Sequence, residues 1–226
     1  EEAMKNGVLL RRSDGMVPKS VLFVQCAGSR DPDHLPYCSS ICCGTSLKQA
    51  KIIREQHPET SVFLIYKDIR MPGMLEQYYK EVQKDSRIFL TKGIVEKVVV
   101  SEKQLSVEVS ESLIDEDISI PVDMVILATG MVPNDSKELN LAYRQGPGLP
   151  ELKYEFSDSH FICFPYETRR TGIYAAGAMR APMGISDSQT DARGAVMKAV
   201  QLIESVKKGG AVHPRSGDRS YPQLYM

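Results

Sequence analysis

Apolar positions in this chain come as short unbroken runs that alternate with helical stripes. Residues 20–25, SVLFVQ, are continuous, β-branched and aromatic, which predicts a buried strand. From Ser39 to about Gln56, Cys42, Leu47, Ala50 and Ile53 recur at spacings of three to five with Pro58 just beyond, which predicts a helix. SVFLIY (61–66) predicts a second buried strand, and MLEQYYKEVQKD (74–85) a second helix after the breaker pair Pro72 and Gly73. Strands and helices in this order build a parallel α/β sheet.

The pattern then shortens. RIFLTKG, IVEKVVVSEK and LSVEVSES are β-branched and partly alternating, and together predict a small antiparallel excursion. VDMVILATG (122–130) predicts a buried strand ending in glycine, and 134–160 a loop centred on GPGLP (146–150). A final strand, TGIYAAG (171–177), leads through a glycine-containing loop into a long helix. There Ala192, Ala195, Val196, Ala199, Val200, Ile203 and Val206 form an apolar stripe whose small residues predict close packing on a sheet. Gly209 and Gly210 stop that helix, and the tail to Met226 is polar and extended in expectation.

Composition narrows the function. With 28 Lys+Arg against 29 Asp+Glu in 226 residues, no basic excess is available to neutralise phosphates, which argues against a broad nucleic-acid footprint. No apolar run approaches the roughly 20 residues that span a bilayer. The opening EEAMKNGVLLRRSDGM has neither the shape of a signal peptide nor that of a domain start, so a soluble, cytoplasmic chain is expected.

One number stands out: four of the five cysteines, Cys26, Cys38, Cys42 and Cys43, fall within 18 residues. A helical pair four residues apart, such as Cys38 and Cys42, is poorly placed for a disulfide, and the adjacent Cys42 and Cys43 diverge. Structural zinc sites usually draw their thiolates in two short-spaced pairs, which this is not. An iron–sulfur cluster tolerates irregular spacing, because four thiolates cap it from several sides. A helix N-terminus near three of the cysteines would favour thiolates and the negative group they hold. A [4Fe–4S] cluster is therefore the leading reading, with zinc, redox thiols or chance clustering as the others. Cys163 reads as an ordinary core cysteine.

The first strand–loop–helix is where a dinucleotide-binding unit carries G-x-G-x-x-G, yet Cys26-Ala27-Gly28-Ser29 offers one glycine and the cysteine loop fills the helix start. Asp68, after the second strand, is only a weak candidate for a ribose hydroxyl without those glycines. Further on, ILATGMVPN (126–134) and TGIYAAGAMRAPMGISDSQTDARGAVMKA (171–199) place strand-terminal glycines before loops and a helix. Gly177 would let a flavin's chain approach the backbone, or Gly177 and Gly184 simply serve tight turns.

Taken in order, these pieces resemble the back two-thirds of a two-dinucleotide-domain flavoprotein of the thioredoxin reductase type, over about residues 18–208. More narrowly, CAGSRD, YCSSICC and Lys48 five residues later resemble the A subunit of heterodisulfide reductase and its relatives, including flavin subunits of the quinone-interacting oxidoreductase of sulfate reducers. The resemblance implies a Rossmann-like, three-layer α/β domain with a small antiparallel excursion, plus the C-terminal half of an FAD-binding domain. It divides the chain into a linker (1–17), an NAD(P)-binding-like inserted domain carrying the cysteines (18–133), part of the FAD domain (134–208) and a tail (209–226).

It further implies that Cys26, Cys38, Cys42 and Cys43 bind a [4Fe–4S] cluster beside FAD. Thr129, Gly130, Gly177, Ala178, Gly184 and Ile185 would contact the flavin, with binding shared by an N-terminal part of the polypeptide that is missing here. Lys48 would favour the reduced anionic flavin if it points that way, and is otherwise a solvated helix residue. The chain departs from the pattern at Ala178, where many such flavoproteins carry Asp, and lacks both the first FAD strand with its glycines and a C-x-x-C pair. The expectation is a piece of an electron-transfer subunit, inactive alone, that works with other subunits of a complex and is at most peripheral to a membrane. NAD(P) binding is disfavoured. The rival readings are an NAD(P)H-dependent flavin oxidoreductase domain and a non-catalytic docking domain with structural zinc.

Overall fold

The computed structural model describes residues 7–101, 104–134, 153–156, 166 and 173–209. The GPGLP loop, Cys163, Thr171, Gly172 and the tail from residue 210 lie outside them. The chain separates into two compact units, with the division between Gly130 and Met131.

The first unit is built on a six-stranded sheet. In chain order its elements are β1 (Ser20–Val24), α1 (Cys42–Gln56), β2 (Ser61–Tyr66), α2 (Leu75–Val82), β3 (Ile88–Val100), β4 (Leu105–Glu111), β5 (Glu116–Val122) and β6 (Met124–Leu127). Spatially the strands run β5-β4-β3-β2-β1-β6. β6, β1, β2 and the first half of β3 are parallel, and β3, β4 and β5 form an antiparallel meander. The steps from β1 to β2 and from β2 to β3 move in the same direction, so two right-handed crossovers set α1 and α2 on one face. Val21, Phe23, Val62, Leu64 and Ile88 meet Leu47, Ala50 and Ile53 of α1 and Val82 of α2 there. On the opposite face Leu22 and Ile65 pack against Val107, Val109 and Val122 of the meander. Helices, parallel strands and meander make three layers.

The topology forces the sheet to fold over. β5 and β6 are its two edges, yet only Asp123 joins them. Six flat strands would hold those edges about 24 Å apart at roughly 4.8 Å per step, far beyond one residue's reach. β3 supplies the bend. It pairs with β2 as far as Lys92, then with β4 from Gly93, with Glu96 bulged between Val95 and Lys97. A Cβ on Gly93 would lie 2.6 Å from the Ser110 carbonyl oxygen, so the corner admits only glycine. Asp123 then locks the return: its carboxylate accepts from the Lys19 and Ser20 N–H groups (2.7 and 3.0 Å), and Ser20 Oγ accepts from its N–H.

Several elements differ from the sequence reading. α1 starts at Cys42 rather than Ser39, because Ser40 sits at φ +62, outside helical space. α2 ends at Val82, since Asp85 turns to bind Arg54 and the Arg87 N–H. β6 covers only 124–127 of the expected 122–130 and is half-buried, as befits an edge. β5 was not foreseen: EDISIPV contains proline and acidic residues, which an edge strand tolerates.

In the second unit, α3 (Ile185–Lys207) follows a short 3-10 turn at Gly177–Met179. Of the strand expected at 171–177, the described residues carry a single bridge at Tyr174, and Gly177 already belongs to the turn. Within this chain the α3 stripe is covered in part. Ala195 is buried, but Val196, Val200, Ile203 and Val206 are 60, 48, 53 and 51% exposed. Among the described residues, no helix is long and apolar enough to cross a membrane.

Candidate functional site: a four-cysteine loop

The cysteine loop hangs from the C-terminal end of β1, the edge where parallel sheets bind ligands. Cys26 directly follows the ladder and takes φ +56, and Arg30 and Ser40 also have positive φ. Three of the six non-glycine residues with this costly geometry among those described thus lie in one short segment. The loop is pinned to the segment after β6. Ala27 N–H donates to the Ala128 carbonyl (3.1 Å), Ser29 Oγ donates to that of Thr129 (3.1 Å), and Ser29 and Ser39 hydroxyls lie 3.3 Å apart. Gly130 has φ +102, and a Cβ there would collide with the Ser29 and Ser39 hydroxyls. The ATG motif therefore clamps the cysteine loop.

All four cysteines are free thiols: Cys43 is buried and the other three are partly exposed. Cys42 and Cys43 open α1, whereas Cys38 lies in the preceding loop, so the helical i, i+4 relation read from the sequence does not exist. Ser40 N–H donates to the Cys38 sulfur (3.4 Å), and Cys43 Sγ lies 3.9 Å from the Asp68 carbonyl it faces. The thiols sense one another. Burial first, then Cys26, Cys43 and Cys38, push the Cys42 thiol up to about 11, and burial raises Cys43. The helix N-terminus was expected to favour thiolates; desolvation and three neighbouring sulfurs outweigh it. In metal-free protein, Cys42 should label with iodoacetamide about a hundredfold more slowly at pH 8 than a thiol of ordinary pKa. Its rate should keep climbing to about pH 11, followed by mass spectrometry; a plateau by pH 9 would contradict the assignment.

Around the thiols lies a polar frame. Asp68 receives Arg30 Nη2 at 2.8 Å and lies 4.0 Å from Lys92 Nζ, so its carboxylate, considered above for a ribose, is already engaged. The Asp68 partner first, and Cys26 as well, hold the Arg30 guanidinium in its charged form. An open cavity of about 330 Å³ lined by Ser40, Arg70, Met71 and Pro72 adjoins the loop. Lys48 is exposed on α1.

Among the described residues, no group of three or more His, Cys, Asp or Glu side chains is gathered as a metal ion requires. The thiols are coupled without being closed on one ion. The donor set nonetheless suits a thiolate-bound group larger than an ion: four sulfurs around one loop, with buried polar atoms of Gln25 and Arg30 left without partners beside Cys26.

In the second unit Gly177 has φ +64 and is buried, with Ala178 beside it. A residue not foreseen organises this turn. Asp191, buried on α3, accepts from the Gly177 N–H (2.7 Å) and from Arg180 through Nε (3.1 Å) and Nη2. Arg180 also lies over the Tyr166 ring (5.2 Å), and Tyr166 fills the space where a Gly194 side chain would stand. Gly184 caps α3 without a side-chain bond, and Ile185 is 83% exposed.

Folded strands, meander and glycine turns of this kind define a thioredoxin reductase-like α/β protein. The thioredoxin reductase of Lactococcus lactis matches 90% of this chain and 57% of its own with a TM-score of 0.55 at 15% identity, and that of T. acidophilum 83% and 53% with 0.51 at 19%. These likenesses establish the fold.

More particularly, the chain is homologous to a segment of the heterodisulfide reductase A polypeptide. It is 35% identical over 205 residues to the second iron–sulfur A polypeptide of the CoB–CoM heterodisulfide reductase of Methanopyrus kandleri, a match that covers 87% of this chain. It is also 35% identical over 213 residues to the A polypeptide of the H2:CoB–CoM heterodisulfide,ferredoxin reductase of Methanothermobacter marburgensis, covering 92%. The chain spans about 30% of the length of these relatives. No family model matches it.

Proposed function

We propose that this chain is part of an electron-transfer oxidoreductase in which Cys26, Cys38, Cys42 and Cys43 hold a [4Fe–4S] cluster next to FAD. The observation that carries the reading is four free cysteines gathered where a strained loop joins the end of β1 to the start of α1, at the ligand-binding edge of the sheet, with the Cys42 thiol influenced by the other three. Homology to a polypeptide whose name includes iron–sulfur supports it. Bound FAD exchanges two-electron for one-electron chemistry, and a cluster passes single electrons on.

The chain's own residues supply the setting. Cys42 and Cys43 come from the start of α1, Cys38 from the loop before it and Cys26 from the end of β1, so both loop and helix must hold their places. The Gly130 clamp fixes the loop. Thr129 and Gly130, and in the second unit Gly177, Ala178, Gly184 and Ile185, are the proposed flavin contacts; the uncapped N–H groups at the start of α3 suit an anionic group. Lys48 is proposed to reach the flavin from the exposed face of α1. The domain division at about residue 133, completion of the flavin site by an N-terminal segment, and association with other subunits of an electron-transfer complex belong to the same reading.

Iron, acid-labile sulfide and zinc analysis of anaerobically purified full-length protein tests it. Iron and sulfide in equal amounts, with no zinc, are expected; one zinc per chain without iron at these cysteines would sink the reading.

A further inference from the structure

Among the described residues, four buried side-chain nitrogen and oxygen atoms have no hydrogen-bond partner: Gln25 Nε2 and Oε1, Arg30 Nη1 and Glu111 Oε1. Glu111 is partly satisfied, since its other oxygen accepts from the Leu113 and Ile114 N–H groups (3.1 and 2.8 Å). The other three atoms belong to two residues that flank Cys26.

Gln25 is 5% exposed, directly precedes Cys26, and continues the β1 ladder through its N–H to the Ile65 carbonyl (2.9 Å). By strand alternation its side chain falls on the face of Val21 and Phe23. That face is covered by α1, whose first two residues are Cys42 and Cys43. Arg30 is held at both ends of its residue: its N–H donates to the Tyr37 carbonyl (3.0 Å), and Nη2 is fixed on Asp68 (2.8 Å). Nη1 is left buried with its donors unused. Leaving a buried polar group unpaired destabilises the fold. Two such side chains stand at one cysteine loop, where Cys26 already acts on the Arg30 guanidinium.

We propose that Gln25 Nε2–H and Arg30 Nη1–H donate hydrogen bonds to sulfur atoms of the group held by Cys26, Cys38, Cys42 and Cys43, and that these two residues raise its reduction potential. The inference rests on the cluster reading above. Donors and positive charge near cluster sulfurs stabilise the more negative reduced state, and outer partners of this kind orient and tune the ligands. Both are positioning residues, acting through the sulfurs.

The test uses full-length protein prepared anaerobically, with Gln25→Leu, Arg30→Gln and Arg30→Lys. Cluster potential is read by a redox titration followed by electron paramagnetic resonance, and thermal stability is read separately on metal-free protein. Gln25→Leu should lower the potential while raising the melting temperature of the metal-free form, because it removes an amide that has no partner there. A merely structural glutamine would lower that melting temperature and leave the potential alone. Arg30→Gln should lower the potential more than Arg30→Lys, which keeps the charge and loses the fork. Unchanged potentials in cluster-bearing variants would overturn the proposal. A parent protein with no iron would instead overturn the cluster reading itself.

Discussion

Cys42→Ser is expected to remove the iron and the visible absorbance from this site, while Cys163→Ser leaves both in place. Cys42 is the thiol most strongly influenced by the other three, feeling Cys26, Cys43 and Cys38 together. It is also the first residue of α1, where serine is well tolerated, so the helix and its packing through Leu47, Ala50 and Ile53 should survive. The effect is therefore one of ligation. The loss should be about four irons per chain relative to the parent, measured by metal analysis with circular dichroism to confirm folding. Retention of iron in well-folded Cys42→Ser protein would show that the cysteines are not the ligands.

In the second unit the largest effect should follow from Asp191→Ala. Asp191 and Arg180 are about nine-tenths buried as a pair, with side-chain exposures of 10 and 13%, and the same carboxylate holds the Gly177 N–H. Removing it strands a largely buried guanidinium without its carboxylate, a change costing roughly 3–5 kcal/mol. Urea unfolding and protease cleavage around Gly177 should show that loss, and Asp191→Asn should recover part of it by keeping an acceptor for the N–H. Acid should mimic the substitution. Burial alone would raise the Asp191 carboxyl, but Arg180 and the Gly177 N–H outweigh it and hold it below the usual range. A depressed carboxylate contributes stability that is complete above its unfolded value near pH 4 and is lost as pH falls through its folded value. Wild-type protein should thus lose this turn below pH 4, whereas Asp191→Ala should show no such acid step. Equal acid profiles would contradict the assignment.

What could be read from the sequence follows from which residues carry pattern. β1, β2 and α1 were legible because each has a continuous or 3.6-period apolar set that meets one shared core, as Phe23, Leu64 and Leu47 do. The cysteine quartet was legible because thiol chemistry limits what four such residues can do together. β5 was hidden by Pro121 and its acidic neighbours, since edge pairing leaves no apolar run. The helix stripe gave the periodicity of α3 but not its partner: Val196, Val200 and Ile203 show a face without showing what covers it. Gln25, Arg30 and Asp191 were missed, because a single polar residue gives no sign that it is buried. Two weak signals existed. Gln25 closes an otherwise apolar run, and Asp191 stands four residues before Ala195 on the buried face of α3.

Electron paramagnetic resonance of the anaerobic, dithionite-reduced full-length protein, compared with its Cys42→Ser variant, decides whether the four cysteines hold a cluster. A one-electron cubane signal is expected in the parent and should disappear from the variant together with its iron and sulfide. An identical spectrum in parent and variant, with zinc bound at the four cysteines, would contradict this expectation.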